Sequence, residues 1–425
     1  MARKIYQALM AASIAHAKWD LEVSANILRN RKKLLFLLML LIPILLVSLA
    51  QAGDVMPEIL GGKKAYSPAF YTPSIFAVSI LIGLCAGLIT GCIGAGGGFI
   101  ITPALMSAGI KGILAVGTDL FHIFAKAMMG TAVHKKLGNV SVGLAVAFLV
   151  GSGLGVLGGG VINRALYETN PVLSDTFISL LYVVMLGLLG IYAMVDFIRL
   201  RKRGGAGDAH GGDAHGAPSG GDESKGLPDR LQAAKIPPMI SFDHDLVPGG
   251  KSISGMFVAI CGAIVGFVAA IMGVGGGFLT FPMFVYILGV SSFTTVGTDI
   301  LQIIFTAGFA SITQYAIYGF IFYTLAMGML LGSLLGIQVG ALTTKVVKGI
   351  YIRGFYATAI LAGFFNRLFA LPGKLAELKV ISLSPGLAGI LDDIGAWSFF
   401  IVVAIFAIWV ISKFIANIRN LREEA

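Results

Sequence analysis

The stretch of sequence that decides the fold is Gly94-Ala-Gly-Gly-Gly-Phe99, and it recurs 179 residues later as Gly273-Val-Gly-Gly-Gly-Phe278. Pro103, which follows the first run, recurs as Pro282 at the same spacing. Both runs lie within apolar sequence, where consecutive glycines weaken a helix and leave its backbone without side-chain cover. We therefore expect the helix to break at each run and to resume as a short helix that carries the proline.

The repeat extends outward from these runs. Val116-Gly-Thr-Asp119 recurs after 180 residues as Val296-Gly-Thr-Asp299, and Gly151-Ser152 recurs after 181 residues as Gly332-Ser333. The spacing therefore drifts by two residues, from 179 to 181, over a whole unit. Self-similarity of this kind is the signature of a duplicated structural unit.

The composition places the chain in a membrane. Hydrophobic residues occupy 57% of the 425 positions and charged residues 12%, against about a quarter charged in soluble domains. Many runs reach the roughly 20 apolar residues that cross a bilayer as a helix. The net charge is +10, but the basic residues gather beside apolar runs, as in Arg199 to Arg203, which is typical of topology signals rather than of a nucleic-acid surface. The predicted fold class is an all-α polytopic membrane protein that binds no nucleic acid and has the lipid bilayer as a partner.

The apolar runs and polar breaks divide the chain into five predicted regions. These are an N-terminal amphipathic segment with a signal-anchor helix at 1–52, a first transmembrane repeat at 75–198, a flexible cytoplasmic linker at 199–250, a second transmembrane repeat at 251–371, and an extracytoplasmic loop with a final transmembrane helix at 372–425. Ala50-Gln51-Ala52 also resembles a signal-peptidase site, but the basic region before it is long for a cleaved peptide, which favours an uncleaved anchor. The linker is predicted from its Gly, Ser, Asp and His content, which cannot form a core.

Loop charges predict that the two repeats have inverted topology. If each short helix crosses the membrane, each unit has an odd number of crossings and the copies lie upside down to one another. Lys135 and Lys136 have no basic counterpart in the second copy, whereas Lys345 and Lys348 correspond to a first-copy loop that carries Arg164 with two carboxylates. Because basic loops face the cytoplasm, equivalent loops are expected on opposite sides. The chain is then a multi-pass protein of the cell inner membrane, with both termini and the linker cytoplasmic.

The glycine breaks are the predicted binding site. Bare backbone at membrane depth is tolerated only where it is buried in protein or lines a cavity, and the N–H groups that open the next helix carry partial positive charge. Two such breaks would bring helix N-termini together around a small anion, with residues 96–98 and 275–277 as donors. The alternative is that these glycines only permit close helix packing, as we expect for Gly83/Gly87 and for Gly262/Gly266.

Ionisable and polar residues follow each break. Carboxylates such as Asp119 and Asp299 are energetically unfavourable in a bilayer, which predicts a role in proton or cation coupling. A Thr-Asp pair is also typical of a helix start, where it caps the first turn, and both interpretations stay open. His122, one turn after Asp119, is replaced by Gln302 in the second copy, so a protonation role at this position belongs to one half of the protein. Lys126 either neutralises a bound anion or pairs with Asp119.

The doubled pattern Gly-x-Gly-Gly-Gly-Phe with a downstream proline, followed by Val-Gly-Thr-Asp, resembles the sulfite exporter TauE/SafE family of membrane transporters over about residues 75–371. The resemblance implies a carrier of small sulfur-containing anions such as sulfite, thiosulfate and organosulfonates, driven by an ion gradient. It also implies equivalent functional positions in both copies: the glycines and threonines would bind the substrate, the aspartates would couple transport to an ion, and the prolines would be structural. These positions are Gly96, Gly97, Gly98, Pro103, Thr118 and Asp119 in the first copy, and Gly275, Gly276, Gly277, Pro282, Thr298 and Asp299 in the second.

The leading functional hypothesis is export of such anions by alternating access, coupled to a proton or cation gradient. The sequence has no ATP-hydrolysing loop, nucleophile elbow or metalloprotease helix, and it predicts no enzyme, no cofactor and no metal site. An anion channel of the same architecture and a membrane scaffold without transport stay open as alternatives. Arg367, near the end of the second repeat, is a weaker binding candidate that also fits a side chain snorkelling to the interface. The oligomeric state is not predicted.

Overall fold

The structure is a computed structural model, and the residues that it describes are 73–93, 97–136, 141–202, 227–243, 250–344, 346–347 and 349–417. The predicted amphipathic segment and signal anchor at 1–52 lie outside them. The first copy folds into five helices: α1 (Pro73–Ile93), α2 (Gly98–Ser107), α3 (Gly112–Lys136), α4 (Val142–Thr169) and α5 (Pro171–Lys202).

Between the copies lie a short helix α6 (Leu227–Ala233) and two strands, β1 (Met239–Phe242) and β2 (Lys251–Ser254). The second copy again has five helices, followed by one more: α7 (Gly255–Met272), α8 (Gly277–Pro282), α9 (Ser292–Ala310), α10 (Tyr323–Thr344), α11 (Gly349–Glu377) and α12 (Pro385–Ala416). A π-helical turn at Met283–Ile287 continues α8, and a π-helical turn at Ser311–Tyr315 with a 3₁₀ turn at Ala316–Tyr318 continues α9.

Most of the described helices are suited to a bilayer. Eight helical stretches among the described residues are long and apolar enough to span a membrane, and they belong to α1, α4, α5, α7, α9, α10, α11 and α12. The stretches Gly98–Ser107 and Gly277–Ile287 are apolar but shorter. The prediction of an all-α polytopic membrane protein is confirmed.

The helices break at both glycine runs, as the sequence predicts. The first helix of the second copy ends at Met272, and its continuation starts only at Gly277. Between them the backbone turns through Gly273, Gly275 and Gly276, whose φ angles are +80°, +65° and +89°. These are left-handed conformations that side-chain-bearing residues rarely adopt. In the first copy α2 begins at Gly98, directly after a turn at Gly97, and residues 94–96 lie outside the described part of the chain.

The two copies are interlocked rather than placed side by side. The first helix of each copy packs along the fourth helix of the other, α1 on α10 and α7 on α4. The third helices α3 and α9 pack on each other, and so do the fifth helices α5 and α11. Each contact is thus matched by its repeat-related counterpart. The inverted sidedness of the copies in the membrane stays a prediction.

Glycines let the interlocked helices touch through their backbones. A Cβ atom built on Gly87 would lie 2.4 Å from the carbonyl oxygen of Ser333, and one on Gly266 would lie 2.3 Å from the carbonyl oxygen of Ser152. The partner helices also have glycines at these contacts: a Cβ on Gly332 would lie 2.0 Å from the carbonyl oxygen of Ile80. The interpretation of Gly83/Gly87 and Gly262/Gly266 as packing glycines is confirmed. We call the α1–α10 and α4–α7 contacts the two glycine seams.

The described part of the segment predicted as a linker contains regular elements. Residues 203–226 lie outside the described part of the chain, but α6 and the antiparallel β1–β2 pair follow them. These elements hold the turn between α8 and α9: Gln232 Nε2 donates to the carbonyl of Leu288 at 2.8 Å, and Lys251 Nζ donates to that of Gly289 at 3.3 Å. Apolar residues such as Phe242, which is buried, give these elements a core.

The end of the chain is more helical than the sequence predicts. α11 runs through Pro372 to Glu377, and α12 begins at Pro385. Ser384 caps α12, since its hydroxyl accepts the amide of Leu387 at 3.4 Å, and the proline at the first position has no amide to satisfy. The predicted loop at the start of 372–425 is therefore confined to the few residues between these helices.

The glycine seams generate a stability prediction. Gly151→Ala and Gly332→Ala are each expected to lower the free energy of unfolding by about 1–3 kcal/mol, because the new methyl group must displace backbone. A Cβ on Gly151 would lie 1.7 Å from the carbonyl oxygen of Ala259. Gly153→Ala is the matched control on the same helix, since its Cβ would meet nothing within 4 Å. Thermal unfolding of the purified full chain measures the difference, and equal midpoints for the variants and the control would contradict backbone contact.

The repeat-related loops provide a test of sidedness. We expect Glu168→Cys, at the end of α4, and Lys348→Cys, just before α11, to react from opposite sides of the membrane, because their loops are equivalent in the two copies. The measurement is labelling with a membrane-impermeant maleimide in intact and in permeabilised cells, with Cys85, Cys92 and Cys261 replaced by alanine. Reaction of both positions from the same side would rule out inverted repeats.

Candidate functional site

The two glycine breaks lie against each other. A Cβ atom built on Gly98 would lie 2.9 Å from the Cα atom of Val274, in the second break. The side chain of Ile123 lies between the two breaks, 2.9 Å from the Cβ position of Gly98 and 2.7 Å from the Cβ position of Gly275. The predicted donors that the structure places at these breaks, all of them buried, are Gly97, Gly98, Gly275, Gly276 and Gly277. Gly96 lies outside the described residues.

Each break opens a helix whose first amides have no acceptor within the helix. The carbonyl of Gly97 accepts the amides of Ile100 and Ile101 at 3.0 and 3.3 Å, and these are the first hydrogen bonds of α2. The amides of Gly98 and Phe99 precede these bonds and have no acceptor within the helix. α8 begins in the same way on the carbonyl of Gly276. Open amides and the helix dipole give each end partial positive charge. Two such ends therefore meet within the buried core.

Two tyrosines donate to carbonyls at the C-terminal end of α7, where the helix stops before the second break. Tyr182, on α5, donates its hydroxyl to the carbonyl of Met272 at 2.6 Å. Tyr315, in the π-helical turn after α9, donates to the carbonyl of Ala270 and receives a hydrogen bond from Asn163 Nδ2 at 3.1 Å. Both tyrosines are fully buried. Sequence reasoning missed them, although a tyrosine within an aliphatic helix such as α5 is a usable signal, since a buried hydroxyl needs a partner.

Asp119 and His122 form a buried polar network in the first copy. Thr102 Oγ1 donates to Asp119 Oδ2 at 3.0 Å, and His122 Nδ1 lies 3.7 Å from Asp119 Oδ1. The other ring nitrogen of His122 lies 2.9 Å from Ser333 Oγ, on α10 of the second copy. Asp119 and His122 are both completely buried, and Asp119 Oδ1 has no hydrogen-bond partner among the described residues. The predicted coupling carboxylate thus lies next to a histidine that contacts one glycine seam.

Asp299 and Gln302 form the repeat-related network of the second copy. Gln302 Nε2 donates to Asp299 Oδ1 at 2.8 Å and lies 3.1 Å from Thr280 Oγ1, whose hydroxyl donates to the carbonyl of Gly276. Thr306 Oγ1 donates to Gln302 Oε1 at 2.8 Å. It also lies 3.0 Å from the hydroxyl of Ser152, on the other seam. Asp299 is only partly buried, and its Oδ2 would lie 3.4 Å from a Cβ on Gly277, so it faces the second break directly.

Lys126 lies beside the first break. Its Nζ donates to Thr90 Oγ1 at 3.5 Å, and that oxygen would lie 2.8 Å from a Cβ on Gly97. In the described part of the chain no carboxylate lies within 4.0 Å of Lys126 Nζ, so the predicted ion pair with Asp119 is not formed. Thr306 occupies the equivalent position in the second copy. The two breaks therefore differ in charge: an ammonium group borders the first and a carboxylate the second.

The Val-Gly-Thr-Asp motifs lie inside helices, which corrects one interpretation. α3 begins at Gly112 and α9 at Ser292, so Asp119 and Asp299 are each the eighth residue of a helix, and the proposal that they cap helix starts is wrong. The sequence suggested a helix start because a polar Thr-Asp pair in apolar sequence looks like the end of a membrane span. In the structure the motif lies within a helix that packs against protein, so its polar side chains are accommodated there.

The threonines of these motifs bind backbone. Thr118 Oγ1 accepts the amide of Phe322 at 2.9 Å, and Thr298 Oγ1 accepts that of Ser141 at 3.0 Å. Phe322 and Ser141 directly precede α10 and α4, so each threonine fixes the start of the other copy's fourth helix. The prolines lie in the short helices, Pro103 inside α2 and Pro282 at the end of α8, where the backbone changes to a π-helical turn.

The described residues contain no group of three or more His, Cys, Asp or Glu side chains that could hold a metal ion. The chemistry available at the breaks is instead that of open amides, one ammonium group, two carboxylates and several hydroxyls. This set can bind an anion and take up or release a proton.

Comparison with known proteins identifies the family. The sequence profile of the family "Sulfite exporter TauE/SafE" matches residues 79–366, which include both broken helices. The chain is 23% identical over 282 residues to the "Probable membrane transporter protein YunE" of Bacillus subtilis (strain 168), covering 64% of this chain and 90% of that protein. It is 25% identical over 263 residues to the "Probable membrane transporter protein YjnA" of the same organism, covering 62% and 87%. No solved structure matches the chain. Because the family profile covers more than half of the sequence, the chain belongs to the sulfite exporter TauE/SafE family of membrane transporters.

Proposed function

We propose that the chain is a secondary transporter that exports small sulfur-containing anions, such as sulfite, thiosulfate or organosulfonates, by alternating access coupled to a proton or cation gradient. The observation that carries the proposal is the meeting of two helix breaks inside the apolar core, with Lys126 beside the first. The name of the family, a sulfite exporter, supports this class of substrate.

The anion is proposed to bind at the N-terminal end of α2. The amides at the start of α2 supply donors, and Lys126, held beside the break by its bond to Thr90 Oγ1, supplies the positive charge that a buried anion needs. The second break is less suited to an anion, because Asp299 faces it. Thr118 and Thr298 are proposed to position helices rather than to contact the substrate, since their hydroxyl oxygens accept backbone amides.

The carboxylates are proposed to couple transport to ion movement. Asp119 is completely buried and receives one hydrogen bond, from Thr102, while its second oxygen has no such partner in the described chain. A buried carboxylate in that setting needs a proton or a cation nearby. His122 Nδ1 lies 3.7 Å from Asp119 Oδ1, beyond hydrogen-bond distance in this conformation, and its other ring nitrogen contacts Ser333 in the α1–α10 seam. A change in protonation is therefore proposed to alter how α3 is held against that seam.

Alternating access is proposed to occur between the two glycine seams. The helices of each seam touch through their backbones, so α1–α10 and α4–α7 are expected to move as units. The breaks and the α3–α9 contact lie between these units, where rocking would open the site to one side and then to the other. The protein is proposed to work in the cell inner membrane, with both termini and residues 199–250 on the cytoplasmic side.

Removing the charge beside the first break tests the binding proposal. Lys126→Gln is expected to reduce sulfite flux at low concentration about tenfold or more, because a charge-assisted interaction contributes about 1.5–3 kcal/mol. Lys111→Gln is the matched control, since this exposed lysine contacts Tyr167 and not the breaks. Flux is measured with labelled sulfite in proteoliposomes. Unchanged flux in Lys126→Gln would contradict the binding site, absence of flux in the unmodified chain would reject the transporter, and ohmic anion currents would indicate the channel.

Neutral replacements of the carboxylates test the coupling proposal. Asp119→Asn and Asp299→Asn are expected to abolish accumulation of sulfite against its gradient under an imposed pH difference. They should retain sulfite–sulfite exchange, because exchange needs the anion site and the rocking motion but no net proton movement. Asp196→Asn, which removes a partly exposed partner of Arg353 at 3.5 Å, serves as the control. Wild-type accumulation in both variants would contradict a coupling role.

A further inference from the structure

Arg367 is buried at the far end of α2 from the glycine break. Only 1% of the residue is exposed, so the interpretation of a side chain snorkelling to the interface is wrong. Its Nε donates to Asn366 Oδ1 at 2.7 Å, and one terminal nitrogen donates to Ser107 Oγ at 2.5 Å. Asn366 Nδ2 also approaches Ser107 Oγ, at 2.9 Å. Ser107 is the last residue of α2, whose ten residues extend about 15 Å.

The charge of this guanidinium is not balanced by an ion pair. Within the described chain no carboxylate lies within 4.0 Å of it. Asp175 and Asp392 act on it only from a greater distance. Asp175 is also already engaged, by Lys374 Nζ at 3.3 Å and by the amide of Gly112 at 2.7 Å. A buried cation without a partner is strongly unfavourable, and it is kept in membrane proteins mainly for function.

The end of α2 does not need this charge. A helix C-terminus exposes carbonyls that attract cations, but here the backbone closes the helix itself. The carbonyls of Ala104, Leu105 and Met106 accept the amides of Ala108, Ile110 and Gly109 at 3.0, 3.0 and 3.1 Å. The guanidinium contacts side chains instead, and those side chains are neutral.

The cluster has the donors of an oxyanion site at the edge of the buried core. A guanidinium presents a planar fork of N–H groups that fits two oxygens of a sulfonate, sulfite or similar anion. The second N–H of Asn366 Nδ2 adds a neutral donor next to it, whereas the hydroxyl of Ser107 donates to Asn366 Oδ1 at 3.2 Å. Ser107 is only partly buried, and the residues that follow it, Ala108 and Gly109, are exposed, so the cluster lies next to the surface at this end of α2.

We propose that Arg367, Asn366 and Ser107 form a second anion site, which holds the transported oxyanion on its way to or from the breaks. The proposal rests on the proposed function for the identity of the anion, but the binding site itself does not depend on transport. The two ends of α2 then carry two sites: open amides with Lys126 at the N-terminus and a guanidinium at the C-terminus.

Binding to the purified full chain in detergent tests this site without transport. Sulfite, with chloride at equal ionic strength as the reference, is expected to raise the melting temperature of the unmodified chain. Arg367→Gln should increase the sulfite concentration for half-maximal stabilisation at least about tenfold, and Arg367→Lys should do so by less. Lys126→Gln should retain a sulfite-dependent rise, which the double variant Lys126→Gln/Arg367→Gln should lose.

A purely structural role gives the opposite pattern. If Arg367 only ties α11 to α2, Arg367→Gln melts well below the unmodified chain without anion and still responds to sulfite at the original concentration. The proposed site predicts a melting temperature without anion that is no lower, because the substitution removes an unpaired buried charge. Lack of any sulfite effect on the unmodified chain, or its complete loss in Lys126→Gln alone, would also overturn the proposal.

Flux measurements separate this proposal from the proposed function. Normal sulfite flux with an unchanged half-saturating concentration in Arg367→Gln would overturn the second site and leave the transporter standing. Arg367-dependent binding in a chain that gives no flux would do the reverse. Arg164→Gln is the matched arginine control, because this guanidinium binds Gln314 and lies 4.1 Å from the Tyr318 ring centroid, away from α2.

Discussion

Backbone groups that leave a helix inside a bilayer must find partners within the protein, and the rest of this structure depends on that constraint. Where α7 ends, the hydroxyls of Tyr182 and Tyr315 donate hydrogen bonds to two of its last carbonyls. The two breaks then close on each other, with Ile123 between them, so that water need not fill the gap. Satisfying the carbonyls while leaving the first amides of the next helix without an intrahelical acceptor gives the centre of the molecule a positive character, and the proposed recognition of an anion depends on this property.

Glycine has two separate uses in this chain, and the structure distinguishes them. At the breaks, positive φ angles at Gly273, Gly275 and Gly276 reverse the backbone, which is a conformational use. Along the seams the glycines keep ordinary helical geometry and only make room for a facing carbonyl. Without close packing the first helix of one copy could not lie along the fourth helix of the other, and the breaks would not meet. The binding geometry therefore depends on residues far from the site.

Sequence patterns predicted the duplication, the breaks and the residues around them, because each leaves a local trace: glycine runs, a repeated motif, or a carboxylate in apolar sequence. Other features depend on contacts between distant segments and leave no such trace. Thr118 and Thr298 look like site residues next to Asp119 and Asp299, yet they bind the amides of Phe322 and Ser141. The burial of Arg367 is equally invisible, since a helix with one arginine fits an interfacial side chain as well as a buried one. The ordered elements from Leu227 onward were missed because the glycine-rich run before them dominates the composition.

The two copies share a backbone but have diverged at their most polar positions. His122 corresponds to Gln302 and Lys126 to Thr306, so the ionisable side chains around the breaks come mostly from one half. An inverted-repeat carrier with two identical copies would have two conformations that are related by a two-fold rotation and equal in free energy, and it would have no intrinsic preference between them. Divergence at these positions removes that degeneracy. In the proposed alternating-access mechanism the empty protein would then favour one of its two conformations, and the substitutions that distinguish the two breaks would set that preference.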